Sequence, residues 1–373
     1  MNILVFTPTF YPCRKGGIEK VVYKFYELDK LNFNNVYIIT LSCNLERSTK
    51  LEVNNILYLE SNYQKVEDIV EFDYLEYTDK VLTFIKTKEI DIIINHDWFL
   101  SDLAYNVNSQ IKKPLISFIH SVKNEEYKNC LSEYQKKIHN KQLKVLKQSD
   151  EIICLTENVK KSISNLLNKD INISIIQCGM DRPKSYTYKI IKEKNIFTFY
   201  YHGRFANEKN IYNLLESFSN LDFESKLILR GDGKLKNSIL RHIENLDLKD
   251  RVSILEWTSD FKVIQKDLLN SHVFVLPSYY EPLGLSILEA TTMGVPSILP
   301  NNYGALEIYS KLKTGWLHSP LEPNSLKSSM DKAFKEYSFM KNKLKKSKWK
   351  CYDYYSWDNG YKQFQSVLNK VLL

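Results

Sequence analysis

The densest run of chemistry-bearing residues is Pro277-Ser278-Tyr279-Tyr280-Glu281-Pro282-Leu283-Gly284-Leu285-Ser286-Ile287-Leu288-Glu289, continuing to Gly294-Val295-Pro296. It reads as the end of a strand, a loop and the start of a helix. Glu281 falls in the loop, Gly284 near the helix start and Glu289 further along the helix. A helix N-terminus presents backbone amides that no intrahelical carbonyl accepts, so it favours phosphates. Pro282, Leu283, Gly284 and Leu285 form the approach to those amides. Carboxylates flanking such a site can accept hydrogen bonds from the hydroxyls of a sugar or a ribose.

Three other loops carry related chemistry. In Tyr201-His202-Gly203-Arg204-Phe205, an apolar strand ends in Gly203 and Arg204, and Lys209 follows five positions after Arg204. An Arg fork and a Lys point charge can converge on one pyrophosphate. The run Leu229-Arg230-Gly231-Asp232-Gly233 is a tight turn after a strand, with room for a nucleoside. Near the N-terminus, Gly16 and Gly17 precede a helix that carries Glu19, and adjacent glycines let backbone amides approach a phosphate closely. This spacing is not the G-x-G-x-x-G dinucleotide fingerprint, so NAD binding is not supported. His120 closes the apolar run Phe118-Ile119-His120.

These residues need a frame that puts strand ends at one place. Short β-rich runs alternate with amphipathic stretches. In the first half the strand candidates are Ile3–Thr7, Val36–Thr40, Ile90–Asn95, Leu115–His120 and Glu151–Leu155. The pattern restarts with Ile196–Tyr201, Lys226–Arg230, Ser253–Trp257, His272–Pro277 and Pro296–Pro300. Alternation of this kind predicts parallel strands with crossover helices. Ligands in open α/β sheets bind at the carboxyl edge of the strands, where all the loops above fall. The fold class is therefore α/β, with two Rossmann-like doubly wound domains facing across a cleft. The expected boundaries are residues 1–180, residues 181–352, and a C-terminal helix over residues 353–373 that crosses back to the first domain.

The chain has 373 residues, enough for two cores, and a formal net charge of +8. That charge favours anionic partners, or it is simply a Lys-rich solvated surface. The six cysteines are scattered and include no C-x-x-C pair, which reads as free thiols in a reducing cytosol. The N-terminus reads as a first strand and not as a signal peptide. No Asp-x-Asp at a strand end and no His/Cys/Asp cluster suggests a metal, so the cationic side chains stand in its place.

Together these motifs resemble the retaining family 4 glycosyltransferases of GT-B fold, also described as glycosyl transferases group 1. Their two glutamates separated by seven residues match Glu281 and Glu289. Their Gly-Arg…Lys motif matches Gly203, Arg204 and Lys209, and their Gly-Gly-x-Glu loop matches Gly16, Gly17 and Glu19. The resemblance implies that Glu281 contacts the transferred sugar and Glu289 the nucleotide ribose. It implies that Arg204 and Lys209 neutralise the departing diphosphate, and that His120 lies near a hydroxyl of the donor sugar. The family's Asn-Gly-Val-Asp after the first domain is Cys178-Gly179-Met180-Asp181 here.

The resemblance implies transfer of a hexose from a UDP- or GDP-linked sugar, with retention and without a cofactor. The acceptor would be a glycan or a lipid-linked molecule, as in bacterial surface polysaccharide synthesis. The dense lysines between Lys112 and Lys147, with Leu131, Tyr134, Ile138, Val145 and Leu146 as an imperfect apolar face, could rest on an anionic inner leaflet. That would place the protein in the cytosol, peripheral at the inner membrane face. The competing reading of this stretch is a solvated helix. Two other functions remain to be weighed: a GT-B sugar-nucleotide epimerase, and a non-catalytic basic binding protein. No nucleic-acid motif supports a nucleic-acid partner.

Overall fold

A computed structural model describes residues 1–10, 17–26, 35–41, 55–59, 74–127, 132–167, 171–181 and 196–373. They form two compact units. One comprises Met1–Gln177 together with Gly360–Leu373, and the other Cys178–Asn359. Pro183 and the lysines of the polar junction lie outside the described residues.

The first unit holds a seven-stranded parallel sheet. Its strands are β1 (Asn2–Thr7), β2 (Asn35–Leu41), β3 (Ile56–Leu59), β4 (Ile92–His96), β5 (Leu115–Ile119), β6 (Glu151–Cys154) and β7 (Ile173–Ile175), in the order β3-β2-β1-β4-β5-β6-β7. Ile3, Leu4, Val5 and Phe6 of β1 are fully buried. A central parallel strand covered on both faces must be apolar at consecutive positions, which is why β1 reads as a continuous run and not an alternation. β1 pairs with β2 on one side and β4 on the other, so the direction of strand addition reverses there. That reversal opens a crevice at the carboxyl ends, beside Thr7 and His96.

The second unit repeats the plan. Its strands are β8 (Phe197–His202), β9 (Ser225–Arg230), β10 (Val252–Leu255), β11 (Val273–Val275), β12 (Ser297–Pro300) and β13 (Gly315–His318), in the order β10-β9-β8-β11-β12-β13. β8 is the pivot, with Tyr201 opposite Leu229 and Phe199 opposite Val273. The reversal between β8 and β11 sets the loops after those two strands side by side.

The strands β3, β7 and β13 are not among those expected from the sequence. All three lie at sheet edges and have only three or four residues. A run that short gives no periodicity, and an edge position removes the need for a continuous apolar run.

The C-terminal stretch is two helices, Lys350–Tyr355 and Trp357–Leu372. The chain breaks between them at Ser356, which bridges Met180. Gly360–Leu373 fold with the first unit. There Phe364 stands 5.0 Å from Phe25, Gln363 accepts from the Gln177 amide at 2.7 Å, and Tyr361 donates to the Lys24 carbonyl.

The helix Glu133–Gln148 starts with a capping box between Ser132 and Gln135. Its apolar residues Ile138, Val145 and Leu146 are buried in the core beside Trp98 and Ile119, with Tyr134 packed against them. These side chains, expected to face a lipid surface, are therefore occupied by the protein's own core. Leu131 lies outside the described residues. Lys141 and Lys144 of the same helix pair with Asp102 at 3.4 and 2.7 Å. The described cysteines Cys154, Cys178 and Cys351 are buried, and burial pushes the Cys351 thiol up to about 12.

Candidate active site

The site in the second unit is built from the loops after β8, β9 and β11. β8 ends at His202 and the chain turns at Gly203, whose amide donates to the Arg230 carbonyl at 3.0 Å. The Phe205 amide donates to the Asp232 carbonyl at 2.8 Å, and the Leu235 amide to the Phe205 carbonyl at 3.2 Å. Gly231 is the point of closest approach. A Cβ there would lie 2.0 Å from the Gly203 carbonyl oxygen. The loops after β8 and β9 thus touch backbone to backbone, and only glycine allows it.

The loops after β8 and β11 are stitched as tightly. After Arg204 comes a 3₁₀ turn, Asn207–Lys209, and then Asn210 in the left-handed region with φ 53°. Asn tolerates that conformation better than most residues. Asn210 Nδ2 donates to the Pro277 carbonyl at 3.2 Å, and the Tyr279 amide donates to the Glu208 carbonyl at 2.9 Å. This lacing brings Lys209 Nζ to 2.8 Å from Glu281 Oε2. Both side chains are largely shielded from water, so the pair is screened much less than a surface pair.

Glu281 is held from behind as well. Its carbonyl accepts from the Gly304 amide at 3.0 Å, and the neighbouring Tyr279 carbonyl accepts from Asn302 Nδ2 at 3.0 Å. A Cβ on Gly304 would sit 2.2 Å from the Pro282 carbonyl oxygen, so this contact also requires glycine. Gly284, with φ +91°, caps the helix Leu285–Thr292 in a conformation other residues rarely adopt. Leu283 is buried, while Pro282 and Leu285 are half-buried around the cap.

Glu289 lies on the buried side of that helix. Its Oε2 stands 2.7 Å from His202 Nε2, and each side chain is 10% exposed. His202 was missing from the sequence reading. The signal for it was a polar residue closing the apolar run Phe197–Tyr201 directly before Gly203. Arg204 is not drawn into the shielded cluster. Its side chain is 67% exposed, and its guanidinium reaches Glu208 at 3.3 Å.

The first unit gathers a second polar group at the ends of β4 and β5. His120 Nε2 is 3.0 Å from His96 Nδ1, and His96 Nε2 is 2.8 Å from the Tyr26 hydroxyl. The rings of His96, Phe118 and His120 stack on one another. Next in the chain, Asp97 is fully buried with φ 62°. Its Oδ1 accepts from the Trp98 amide and from Gln142 Nε2, both at 3.1 Å. Burial pushes the Asp97 carboxyl up to about 6. Neither His96 nor Asp97 was read from the sequence, although His96-Asp97-Trp98 closes an apolar run as His202 does. Gly16 lies outside the described residues. Gly17 opens the helix Gly17–Phe25 and is exposed, and Glu19 accepts from Thr9 Oγ1 at 2.9 Å.

Burial, with Lys123 adding to it, lowers His120 to about 3, and burial lowers His96 well below its ordinary value. Both imidazoles are therefore neutral at physiological pH and bond as neutral rings. An imidazole whose folded value lies below its unfolded 6.5 contributes fully above pH 6.5 and loses that contribution as pH falls, because the unfolded chain then takes up protons the native ring refuses. For His120 alone the loss should reach about 2 kcal/mol by pH 5. Urea unfolding of the wild type and of His120→Gln at pH 7.5 and 5.0 measures it. The variant should lose less stability on acidification, and an equal loss in both would assign the acid sensitivity to other groups.

Two doubly wound parallel sheets, the second bearing a cation and two glutamates at its switch point, define the class of architecture as GT-B, and the chain is similar to glycosyltransferases. Residues 185–349 match the family described as Glycosyl transferases group 1. An uncharacterized glycosyltransferase of Methanocaldococcus jannaschii is 24% identical over 78% of each chain. The UDP-Gal:alpha-D-GlcNAc-diphosphoundecaprenol alpha-1,3-galactosyltransferase of Escherichia coli is 33% identical over 42% of this chain and 44% of its own. The structure of sucrose-phosphate synthase from Thermosynechococcus elongatus has the same fold, with a TM-score of 0.85 at 17% identity over 99% of this chain and 98% of that one.

Proposed function

We propose that the protein transfers a hexose from a nucleoside-diphosphate sugar, with retention of configuration, to a glycan or lipid-linked acceptor. The observation that carries this reading is the Lys209–Glu281 pair held at the β8/β11 switch point beside the helix Leu285–Thr292. Lys209 and the amides at that helix start face the leaving diphosphate, with Arg204 swinging in from solvent to join them. Glu281 accepts hydroxyls of the transferred sugar. Glu289, oriented by His202, accepts the ribose hydroxyls. The bond between the anomeric carbon and the phosphate oxygen breaks as the acceptor oxygen approaches on the same face. The departing phosphate takes the acceptor's proton. Charge gathering on that phosphate is what positioned cations stabilise most, without a metal. The galactosyltransferase of Escherichia coli, whose name gives a UDP-sugar donor and a lipid-linked acceptor, supports this choice of substrate classes.

Calorimetric titration with UDP, GDP and ADP, and with their sugar conjugates, tests the donor half. One diphosphate should bind selectively, and Arg204→Ala should weaken it by roughly tenfold, about the loss of one charge-assisted hydrogen bond. No binding to any of them would remove the donor site. Nucleotide release in the absence of any acceptor, with the sugar epimerised, would favour the epimerase reading.

A further inference from the structure

We propose that the outer face of the long helix Ser325–Ser347, with the basic turn that follows it, is a docking surface for an anionic lipid bilayer. The helix is strongly two-sided. Leu326, Met330, Ala333, Met340 and Leu344 are buried along one side. Lys332, Lys335, Phe339, Lys343 and Lys346 are exposed and follow one another at spacings of three or four residues, so they share the opposite face.

The charge on this face is one-signed. From Tyr337 through Tyr352 the sequence has six lysines and no carboxylate. Lys341, Lys343, Lys345, Lys346 and Lys350 make no ion pair among the described residues. The nearest acids along the helix are committed elsewhere: Asp331 to Lys327 at 2.9 Å, and Glu336 to the Trp316 indole at 2.8 Å. In the middle of the lysines stands Phe339, 69% exposed. Trp349, also exposed, lies beyond them with the Lys348 ammonium 4.8 Å from its ring centre.

Exposing a phenyl ring to water is unfavourable, and flanking it with ammonium groups is the arrangement an interfacial helix uses. The lysine stems lie along the apolar boundary while their heads meet phosphates, and the ring enters the acyl boundary. A polyanion without an apolar layer, such as a nucleic acid, would take the lysines but leave Phe339 unrewarded. For this reason the lipid surface is the partner the face fits. The proposal does not depend on the donor site, since none of these residues belongs to it.

Sedimentation of the full-length chain with phosphatidylcholine vesicles, with and without phosphatidylglycerol, tests the proposal. Binding should appear only with phosphatidylglycerol and weaken as salt is raised. The triple variant Lys335→Glu, Lys343→Glu, Lys346→Glu should bind at least about hundredfold more weakly, from about fivefold per basic residue at the surface, with its thermal unfolding unchanged. A Phe339→Trp variant should shift its emission to the blue on the anionic vesicles. Wild-type binding by the triple variant would overturn the assignment and pass it to the Lys112–Lys147 stretch. Tight binding to a single-stranded oligonucleotide, with no emission shift on vesicles, would overturn the lipid partner.

Discussion

Replacing Lys209 with alanine should lower kcat/KM for sugar transfer by about two to three orders of magnitude, the usual cost of removing one positioned group that meets developing charge. The effect has two sources. The departing diphosphate loses its shielded cation. In addition, Glu281 keeps a carboxylate that Lys209 no longer neutralises at 2.8 Å, and that carboxylate then repels the phosphates. A double-mutant cycle with Glu281→Ala separates the two. If Lys209 served only to hold Glu281, the double variant would be as active as Glu281→Ala alone. If Lys209 meets the phosphate, the double variant should be weaker than Glu281→Ala alone. Near-normal transfer by Lys209→Ala would remove the pair from the reaction.

Gly231→Ala should be strongly damaging to the second unit and to its site together. The new Cβ would meet the Gly203 carbonyl oxygen at 2.0 Å and the Phe205 ring at 2.8 Å. One obstacle is backbone and the other belongs to a ring buried behind it, so neither can swing aside. The loops after β8 and β9 must separate, breaking the bonds that join Gly203 to Arg230 and Phe205 to Asp232. Overpacking of this kind costs about 3 kcal/mol, or a fall of roughly 6–12 °C in the unfolding temperature of a unit this size. Since Arg204 sits between those two bonds, nucleotide affinity should fall with stability. Calorimetric unfolding and nucleotide titration of the same variant would check both. An unchanged unfolding temperature would show that the loops accommodate the methyl group, and the backbone contact would then explain nothing.

Much of this is legible in the chain itself. The apolar runs that became β1, β4, β5, β8 and β11 are long or continuous because central parallel strands are covered on both faces. The residue that follows each run therefore announces the carboxyl edge. Gly203, Arg204, Gly231 and Glu281 were legible for that reason: strand, turn residue and charge are adjacent in the chain. The edge strands β3, β7 and β13 were not, because three or four residues at a sheet margin carry no periodic signal.

What the sequence by itself determined is the set of chemical groups and the alternation that forces two parallel sheets, since both are local properties of the chain. What only the tertiary structure decided is which of those groups meet. Lys209 and Glu281 are 72 residues apart, His202 and Glu289 are 87 apart, and His96 and His120 are 24 apart. Each pair is made by strand order, and the two pairs of the second unit also lie among the close backbone approaches at Gly231 and Gly304. The same applies to the two lysine-rich helices. Their compositions look alike, but packing hides the apolar residues of Glu133–Gln148 in the core and leaves Phe339 in solvent. Burial is a property of the assembled layers and not of any one segment, so no reading of spacing along the chain could have separated them.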